Sequence, residues 1–493
     1  MKQFLPLILL SMTLPAIGAD WPTYKGDNAR SAATDEQLAL PLKQSWEHQP
    51  LHPPRPAWRG PAKEDLYNKQ FTLKNRQLFD HAFHVIADAR SVYFGSSADD
   101  QVHCLDLTTG KERWTFFTEG PVRFAPTLYG GKLFVGSDDG HAYCLSTEGK
   151  LIWRKLLAPR DYRIAGNNRI ISAWPLRTGI LIRDGIAYTG AGMFPKEGIH
   201  IVAFDSVKGA ERWRTTQTDW TAQGYLLLSQ NRVYVPTGRG NPLVCDRNTG
   251  KIVQKISDSS DMLFKLIKKW DEKPSLPNSR QNGRILGLVP DDKKDSFATF
   301  TGNHMIIHGA KSYLQTYTEL SVLERTRYLT LERKILEVNA NLKTLGGKAS
   351  KLNEVRKALN KQLSKLLEQK PPKSPLALEK LIDEKREQIK GQENLLAEKS
   401  NQITAANRDK DKIINDIKAC VLWRVKCGQL HSLMLAGDTL FAGGNNEIAA
   451  YSAANGKKTW SASVNGAALG IAVAHGRLLV STDKGTIHCF MRK

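Results

Sequence analysis

The sequence predicts an all-β fold, a closed ring of four-stranded sheets known as a β-propeller, into which a helical hairpin is inserted. Three observations support this prediction: a repeat of about 40 residues, a partial repeat at each end of the chain, and a long heptad pattern in residues 319–418. A period near 40 residues with four short strands is typical of a propeller blade.

The repeat is clearest in two consecutive units. The first unit runs from an apolar strand at Val92 through Cys104 and a Thr-Gly-Lys turn to Trp114. The second unit repeats this order and ends at Trp153, and Cys104 and Cys144 are 40 residues apart. Each unit predicts four short strands joined by tight turns. Further units end at Trp213 and Trp460.

The two ends of the chain are predicted to complete one blade together. The last unit stops at Cys489 without a tryptophan-bearing outer strand, and residues 42–46 read as an outer strand without a blade. Closure of this kind removes the exposed edges that an open array would have. Counting gives seven units. Residues 257–296 leave room for an eighth blade, although they read more as a loop with a short helix around 263–270.

Residues 319–418 interrupt the repeat with two helical segments. Apolar side chains recur in steps of four and three from Leu331 to Leu366, and every seven residues from Ile382 to Ile417, with only Lys410 breaking that column. This is a heptad seam, and prolines near residue 371 separate its two halves. We therefore expect an antiparallel coiled-coil hairpin, which either pairs only with itself or also docks a partner or a second copy.

The end of each unit carries a family resemblance. Ala203-x-Asp205-x-x-x-Gly209-x-x-x-Trp213 resembles the tryptophan-docking repeat of quinoprotein-like propellers, and Trp21-Pro22-x-Tyr24-x-Gly26-Asp27 resembles the start of exported PQQ-binding-like, or BamB-like, repeat proteins. The resemblance implies a quinoprotein-like propeller of seven to eight blades, with eight favoured. It also implies that the last tryptophan of each unit docks structurally. These tryptophans are Trp114, Trp153, Trp213 and Trp460.

The start of the chain predicts export. A basic residue, an apolar run and a small-residue end indicate a signal peptide at residues 1–19, with cleavage after Gly18 or Ala19. The expected domains are then a propeller formed by residues 20–318 and 419–493 and an inserted hairpin at 319–418. We expect a periplasmic or cell-envelope protein that is soluble after cleavage, because no later segment is long and apolar enough to span a bilayer.

The net charge of +22 favours acidic partners. Export makes nucleic acid an unexpected partner, which leaves an acidic protein, an anionic ligand or an anionic envelope polymer.

The six cysteines are expected to be small buried packing residues, since three of them occupy the same position in different blades. No metal site is expected, because His304 and His308 lie in a strand-like run. The sequence contains no catalytic elbow or phosphate loop.

One set of residues is a candidate ligand site at the mouth of the channel. Arg123 and Arg177 each stand 13 residues before an equivalent glycine, and the same count reaches Gln223 in the next unit. The inner strands of a propeller line its channel, so these side chains could converge on a carboxylate or phosphate. The alternative is that each arginine pairs with an aspartate of its blade. Other candidates for the mouth are Trp174, His84 and His431.

Two functions follow from these observations. The first is an exported, non-catalytic scaffold or binding propeller that contacts a protein or ligand, with residues 319–418 as a docking arm and no cofactor. The alternative, implied by the resemblance, is a PQQ-dependent dehydrogenase. Such enzymes have two adjacent cysteines over the cofactor and a carboxylate–amide calcium site. This chain has no adjacent cysteines, and its sequence does not place the calcium ligands.

Overall fold

Groups of short strands follow one another along the chain, each ending in a strand that is more exposed than the rest of its group. The computed structural model describes residues 18–57, 78–166, 168–237, 242–255, 284–289, 296–368 and 375–492. The predicted signal peptide and the predicted short helix around 263–270 lie outside these residues, apart from the two residues that follow Ile17.

The strands are numbered in chain order. The first twelve are β1 (Ala33–Thr34), β2 (Lys43–His48), β3 (Ile86–Ala87), β4 (Ser91–Gly95), β5 (Gln101–Asp106), β6 (Glu112–Phe117), β7 (Thr127–Tyr129), β8 (Lys132–Gly136), β9 (His141–Ser146), β10 (Leu151–Leu156), β11 (Arg163–Gly166) and β12 (Arg169–Ser172). The next ten are β13 (Leu181–Arg183), β14 (Ile186–Ala191), β15 (Ile199–Asp205), β16 (Glu211–Gln217), β17 (Leu227–Leu228), β18 (Arg232–Val235), β19 (Leu243–Asp246), β20 (Ile252–Lys255), β21 (Arg284–Val289) and β22 (Ser296–Thr301). The last ten are β23 (His304–His308), β24 (Lys311–Gln315), β25 (Glu319–Glu324), β26 (Val421–Lys426), β27 (Ser432–Ala436), β28 (Thr439–Gly443), β29 (Asn445–Ser452), β30 (Lys458–Ala474), β31 (Arg477–Thr482) and β32 (Ile487–Met491).

These strands form the sheets of a β-propeller, which confirms the predicted fold class. Five four-stranded sheets have the orders β3-β4-β5-β6, β7-β8-β9-β10, β13-β14-β15-β16, β17-β18-β19-β20 and β23-β24-β25-β26. An eight-stranded sheet, β1-β27-β28-β29-β30-β31-β32-β2, contains two further groups joined by the long strand β30. The pairs β11-β12 and β21-β22 are two-stranded. The pair β21-β22 lies where the sequence left room for an eighth blade.

Burial separates the strands within a sheet. In the first complete sheet β4 is fully buried, whereas the outer strand β6 is exposed or half-buried along its length. A small residue faces the tryptophan of each outer strand: Cys104 is opposite Trp114, and Ala203 is opposite Trp213. The register shifts at the next residue in both pairs, which marks a bulge beside the tryptophan. The recurrent cysteine or alanine therefore makes room for an indole.

Each of these tryptophans reaches the next sheet. The Trp114 indole donates a hydrogen bond of 2.9 Å to the carbonyl of Thr147, and its ring covers Gly149 of the same turn. Gly149 has a φ of +81°, and a Cβ placed on it would lie 2.6 Å from the Trp114 ring. The same indole-to-carbonyl bond links four other pairs at 3.0 Å: Trp46 with Leu107, Trp213 with Arg247, Trp423 with Ala453, and Trp460 with Leu42. Trp153 packs against Gly209, but its indole nitrogen has no partner among the described residues.

Both ends of the chain contribute to one group of strands. β2 pairs antiparallel with β32, and this register places Trp46 opposite Cys489. The position of Trp46 relative to Cys489 repeats that of Trp114 relative to Cys104. The outer strand that the last repeat lacks is therefore supplied from residues 43–48.

Residues 323–422 form a compact unit of their own. It consists of helices α1 (Arg325–Leu367) and α2 (Pro375–Ala419), of 43 and 45 residues, so each is about 65 Å long. The predicted seam is the inner face, and its most buried side chains include Leu345 and Ile389. Arg356 interrupts the seam and lies 3.9 Å from Glu393 of the other helix. A polar residue in an apolar seam fixes the pairing register at a cost in stability.

We predict that Gly149→Ala destabilises the propeller more than Gly185→Ala. Both glycines have positive φ, +81° and +75°, but nothing lies within 4 Å of a Cβ at Gly185. The control therefore carries only the left-handed backbone cost of about 1–2 kcal/mol. Gly149→Ala adds a clash with Trp114, worth roughly another 1–3 kcal/mol. Urea unfolding followed by tryptophan fluorescence measures both, and equal losses would contradict the docking contact.

Candidate functional site

The structure brings Arg123 and Arg177 together on one carboxylate. Asp138, in the turn between β8 and β9, accepts hydrogen bonds from Arg123 Nε at 2.6 Å and from Arg177 Nε and Nη2 at 3.1 and 2.9 Å. All three side chains are at least 95% buried. In the sequence, Asp138 has only the pattern of a hairpin turn, because Asp139 and Gly140 follow it. The observed geometry corresponds to the alternative reading of the two arginines, in which they pair with an aspartate.

Further atoms of this cluster also have partners. Arg123 Nη1 donates to Asp80 Oδ2 at 3.1 Å and to the carbonyl of Arg55 at 2.7 Å. Arg177 Nη1 lies 2.9 Å from the Met193 sulfur. Two arginines and two aspartates make the cluster neutral overall. We call Asp80, Arg123, Asp138 and Arg177 the buried quartet.

Burial and charge act in opposite directions within the quartet. Burial raises the pKa of Asp138, but the charges of Arg123 and Arg177 outweigh burial and hold that pKa below its ordinary value. Burial lowers the pKa of Arg123, but Asp138 and Asp80 outweigh burial and raise it. Asp138 and Arg123 are therefore charged at neutral pH, and both guanidinium groups donate to internal carboxylates.

The other predicted site residues have separate partners. The Trp174 indole donates to the carbonyl of Glu197 at 2.8 Å. Gln223 is buried and forms an isolated backbone bridge with Thr237. His431 Nε2 lies 2.6 Å from the side-chain oxygen of Asn445. None of these three has a recorded contact with the buried quartet among the described residues.

His84 belongs to an aromatic cluster that the sequence did not reveal. Tyr24 and Tyr225 stack at 3.7 Å with an angle of 5° between their rings, and the His84 ring lies 4.8 Å from that of Tyr24. The edge of Tyr225 meets Phe124 at 4.8 Å, and Phe124 stacks on Phe79 at 4.7 Å. Tyr225 also accepts a hydrogen bond of 2.8 Å from the backbone of Ala125. Flat contacts of this kind leave no slot between the rings.

Tyr24 is carried by residues 21–34, which we call the crossing segment. Its backbone bonds to the first strands of successive sheets: Trp21 with Ala87, Pro22 with Leu128, Asn28 with Leu228, and Ala32 with Leu435. The Asn28 side chain adds a bond to Ile182. The crossing segment therefore bonds to five sheets, and the Trp-Pro-x-Tyr-x-Gly-Asp motif forms its first half. The motif is recognisable in the sequence, but no repeat pattern predicts that its Tyr24 contacts Tyr225.

All six cysteines are reduced and buried. Burial raises the pKa of Cys104 and Cys489 to about 12, so these thiols are protonated and unreactive at neutral pH. Their role as small packing residues beside a tryptophan agrees with the sequence prediction. Within the described residues, no group of three His, Cys, Asp or Glu side chains is arranged to hold a metal ion.

These sheets and their tryptophan contacts define the chain as a β-propeller. A family model described as outer membrane protein assembly factor BamB matches residues 45–189 and 413–491. The chain is therefore similar to this PQQ-like repeat family over those two segments, which include the repeats that end at Trp114 and Trp153.

Two solved structures align with most of this chain. Quinohemoprotein alcohol dehydrogenase from Comamonas testosteroni is 13% identical with a TM-score of 0.51, over 96% of this chain and 82% of that chain. BamB from Moraxella catarrhalis is 12% identical with a TM-score of 0.34, over 82% of this chain and 80% of that chain. No curated protein sequence matches significantly. Among the described helices, neither is apolar enough over a sufficient length to cross a bilayer.

We predict that Asp138→Asn strongly destabilises the protein, because it leaves Arg123 and Arg177 without their shared counter-charge. Breaking one side of a buried ion pair costs about 3–5 kcal/mol. The matched control is Asp161→Asn, which removes the exposed partner of Arg163 and should cost less than about 1 kcal/mol. Calorimetric melting compares the two variants, and similar melting temperatures would show that the quartet is not a stabilising network.

The lowered pKa of Asp138 also predicts an acid-dependent loss of stability. A carboxylate whose pKa falls on folding stabilises the protein above its unfolded pKa of about 3.9. That contribution disappears as the pH falls below this value towards the folded pKa. Wild-type protein should therefore lose stability between about pH 4 and 2 by more than Asp138→Asn does, since the variant lacks the titrating group. Parallel curves of melting temperature against pH would contradict this assignment.

Proposed function

We propose that this protein is an exported, periplasmic interaction scaffold without catalytic activity, which binds a protein partner. The observation that carries the proposal is that the candidate ligand-site residues are engaged by the chain's own side chains. Both candidate arginines pair with Asp138, and the Tyr24 and Tyr225 rings stack at 3.7 Å. The matching BamB family model supports the same class of function.

The residues at these positions do not fit PQQ. A planar quinone that carries several carboxylates needs free cations and a flat slot between two surfaces. Arg123 and Arg177 direct their guanidinium edges at Asp138, and a ligand carboxylate would have to displace that buried counter-charge. No two cysteines are adjacent in the sequence. These features weigh against the dehydrogenase alternative, and we derive no redox step for this chain.

The helical hairpin is the part of the scaffold that we propose as the docking arm. Its apolar seam is largely satisfied by pairing of α1 with α2. Outside the seam, several large apolar side chains are nevertheless exposed among charged neighbours, including Leu336 at 60%, Leu381 at 46% and Leu395 at 42%. Exposed apolar residues on a long charged helix suit a partner that contributes acidic and apolar groups.

The dehydrogenase alternative predicts a result that the scaffold proposal excludes. We expect no saturable binding when PQQ is titrated into the full chain, with or without calcium, and followed by quinone absorbance. Asp138→Asn serves as the matched variant, since it would free the two arginines if it folds. Stoichiometric binding to the wild-type protein would overturn the proposal.

The docking arm predicts position-dependent crosslinking in cells. A photo-reactive side chain at the exposed position of Leu395 should give a discrete crosslinked product, which disappears when the ultraviolet exposure is omitted. The same group at Leu345, which is 8% exposed in the seam, should react only within the hairpin. An identical pattern from both positions, or none from Leu395, Leu336 and Leu381, would argue against a docked partner on this face.

A further inference from the structure

Arg30 is a buried arginine that lacks a carboxylate partner. It is 2% exposed, and its Nε donates to the carbonyl of Leu226 at 3.1 Å. Its Nη1 donates to Thr23 Oγ1 and to the carbonyl of Tyr24, both at 2.7 Å. No acidic side chain of the described residues forms an ion pair with Arg30. This distinguishes Arg30 from Arg123 and Arg177, whose charges are cancelled within the buried quartet.

One edge of the Arg30 guanidinium is unused. Nη2 donates to no described residue, yet it is not among the fully enclosed polar atoms, so an incoming ligand atom can reach it. The same holds for the hydroxyl of Tyr24, which lies beside Arg30 in the crossing segment. The Arg30 guanidinium carbon is 5.8 Å from the centre of the Tyr24 ring and 5.2 Å from that of Tyr225. A charged donor and a neutral hydroxyl donor therefore flank one stacked pair of rings.

The surroundings of Tyr24 are basic. Lys25 Nζ lies 5.8 Å from the Tyr24 ring, and the His84 ring lies 4.8 Å from it. His84 Nε2 is enclosed and has no partner among the described residues. Burial, with Lys25 and His81 adding to it, lowers the pKa of His84 to about 3, which keeps its imidazole neutral. Lys25 and Arg30 therefore contribute the positive charge beside the Tyr24 ring, while His84 adds none.

The backbone holds these side chains in an unusual conformation. Lys25, Arg30 and Ala32 have φ values of +56°, +58° and +56°, in the left-handed region that residues with a Cβ rarely adopt. Each such residue costs on the order of 1–2 kcal/mol. Strain of this kind concentrates at ligand sites, where it fixes side chains in advance of binding.

From this geometry we infer that Arg30 Nη2 and the Tyr24 hydroxyl form a recognition site for a carboxylate. The Arg30 Nη2 group and the Tyr24 hydroxyl are both donors, which suits the two oxygens of a carboxylate, and the stacked tyrosine rings offer an apolar contact for the carbon that bears it. A phosphate carries up to two charges and more oxygens than this single guanidinium edge satisfies. The carboxylate comes either from a small free acid or from an acidic side chain of a protein. The site rests on the crossing segment alone, so it stands whether or not the hairpin docks a partner.

Calorimetric titration of the full chain tests this inference with two carboxylate probes, citrate and a glutamate-rich peptide with an amidated end. The matching glutamine-rich peptide and inorganic phosphate are the reference probes. We expect saturable binding of at least one carboxylate probe and weaker binding of both reference probes. Binding of citrate alone would identify a free acid as the source, and binding of the glutamate peptide would identify a protein.

Arg30→Met should weaken that binding at least about tenfold, since a hydrogen bond between charged groups is lost. The matched control is Arg212→Met, which removes a surface arginine that is 58% exposed and already paired with Asp205. This control should stay within about twofold of wild type. An equal loss in both variants would mean that the net charge binds the probes diffusely, and would overturn the site.

Two conservative variants keep the test decisive if Arg30→Met does not fold. Tyr24→Phe retains the ring stack and removes only the hydroxyl, and Arg30→Lys retains the charge without the guanidinium edge. Each should weaken carboxylate binding several-fold. The melting temperature should be unchanged in Tyr24→Phe, whose lost hydroxyl has no partner among the described residues, and lower in Arg30→Lys, which loses the bond to the carbonyl of Leu226. Full affinity in both variants, or no saturable carboxylate binding by the wild-type protein, would show that Arg30 only ties the crossing segment together.

Discussion

The contact of a tryptophan with the glycine turn of the next sheet is the interaction on which the ring depends. A single four-stranded sheet leaves an apolar face uncovered, so each sheet is stable only against its neighbours. The indole satisfies two needs at once, because its ring covers the turn glycine and its N–H caps a turn carbonyl. The position requires glycine for two reasons: its φ is positive, and the tryptophan ring occupies the space that a Cβ would need. Trp114 on Gly149 is the clearest instance.

The crossing segment adds a second constraint that the repeats do not supply. Neighbour-to-neighbour docking fixes only adjacent sheets, whereas residues 21–34 bond to the first strands of five sheets. A segment that joins several sheets opposes their separation and occupies space along the inner strands. The same residues therefore stabilise the arrangement of these five sheets relative to one another.

The sequence predicted the features that are local and repeated. The order of strand, turn glycine and tryptophan recurs within 40 residues, so counting located the docking tryptophans and the strand that Trp46 adds beside Cys489. The heptad seam was visible for the same reason, since each helix repeats its own pattern. Counting from the glycines also placed Arg123 and Arg177 at equivalent positions, which the structure brings to one carboxylate.

What the sequence did not predict depends on contacts between distant, unrepeated residues. Asp138 has the pattern of a hairpin turn, and nothing in its neighbourhood reveals that it receives two arginines from different units. Tyr24 and Tyr225 stack across the chain without any shared period. Arg30 looked like one of many basic residues in a chain of charge +22. The net positive charge does not reveal which basic side chain lacks an acidic partner, because that depends on the burial and ion pairing of each residue. The quartet arginines are paired with carboxylates where they lie, whereas Arg30 forms no ion pair with a carboxylate of the described residues.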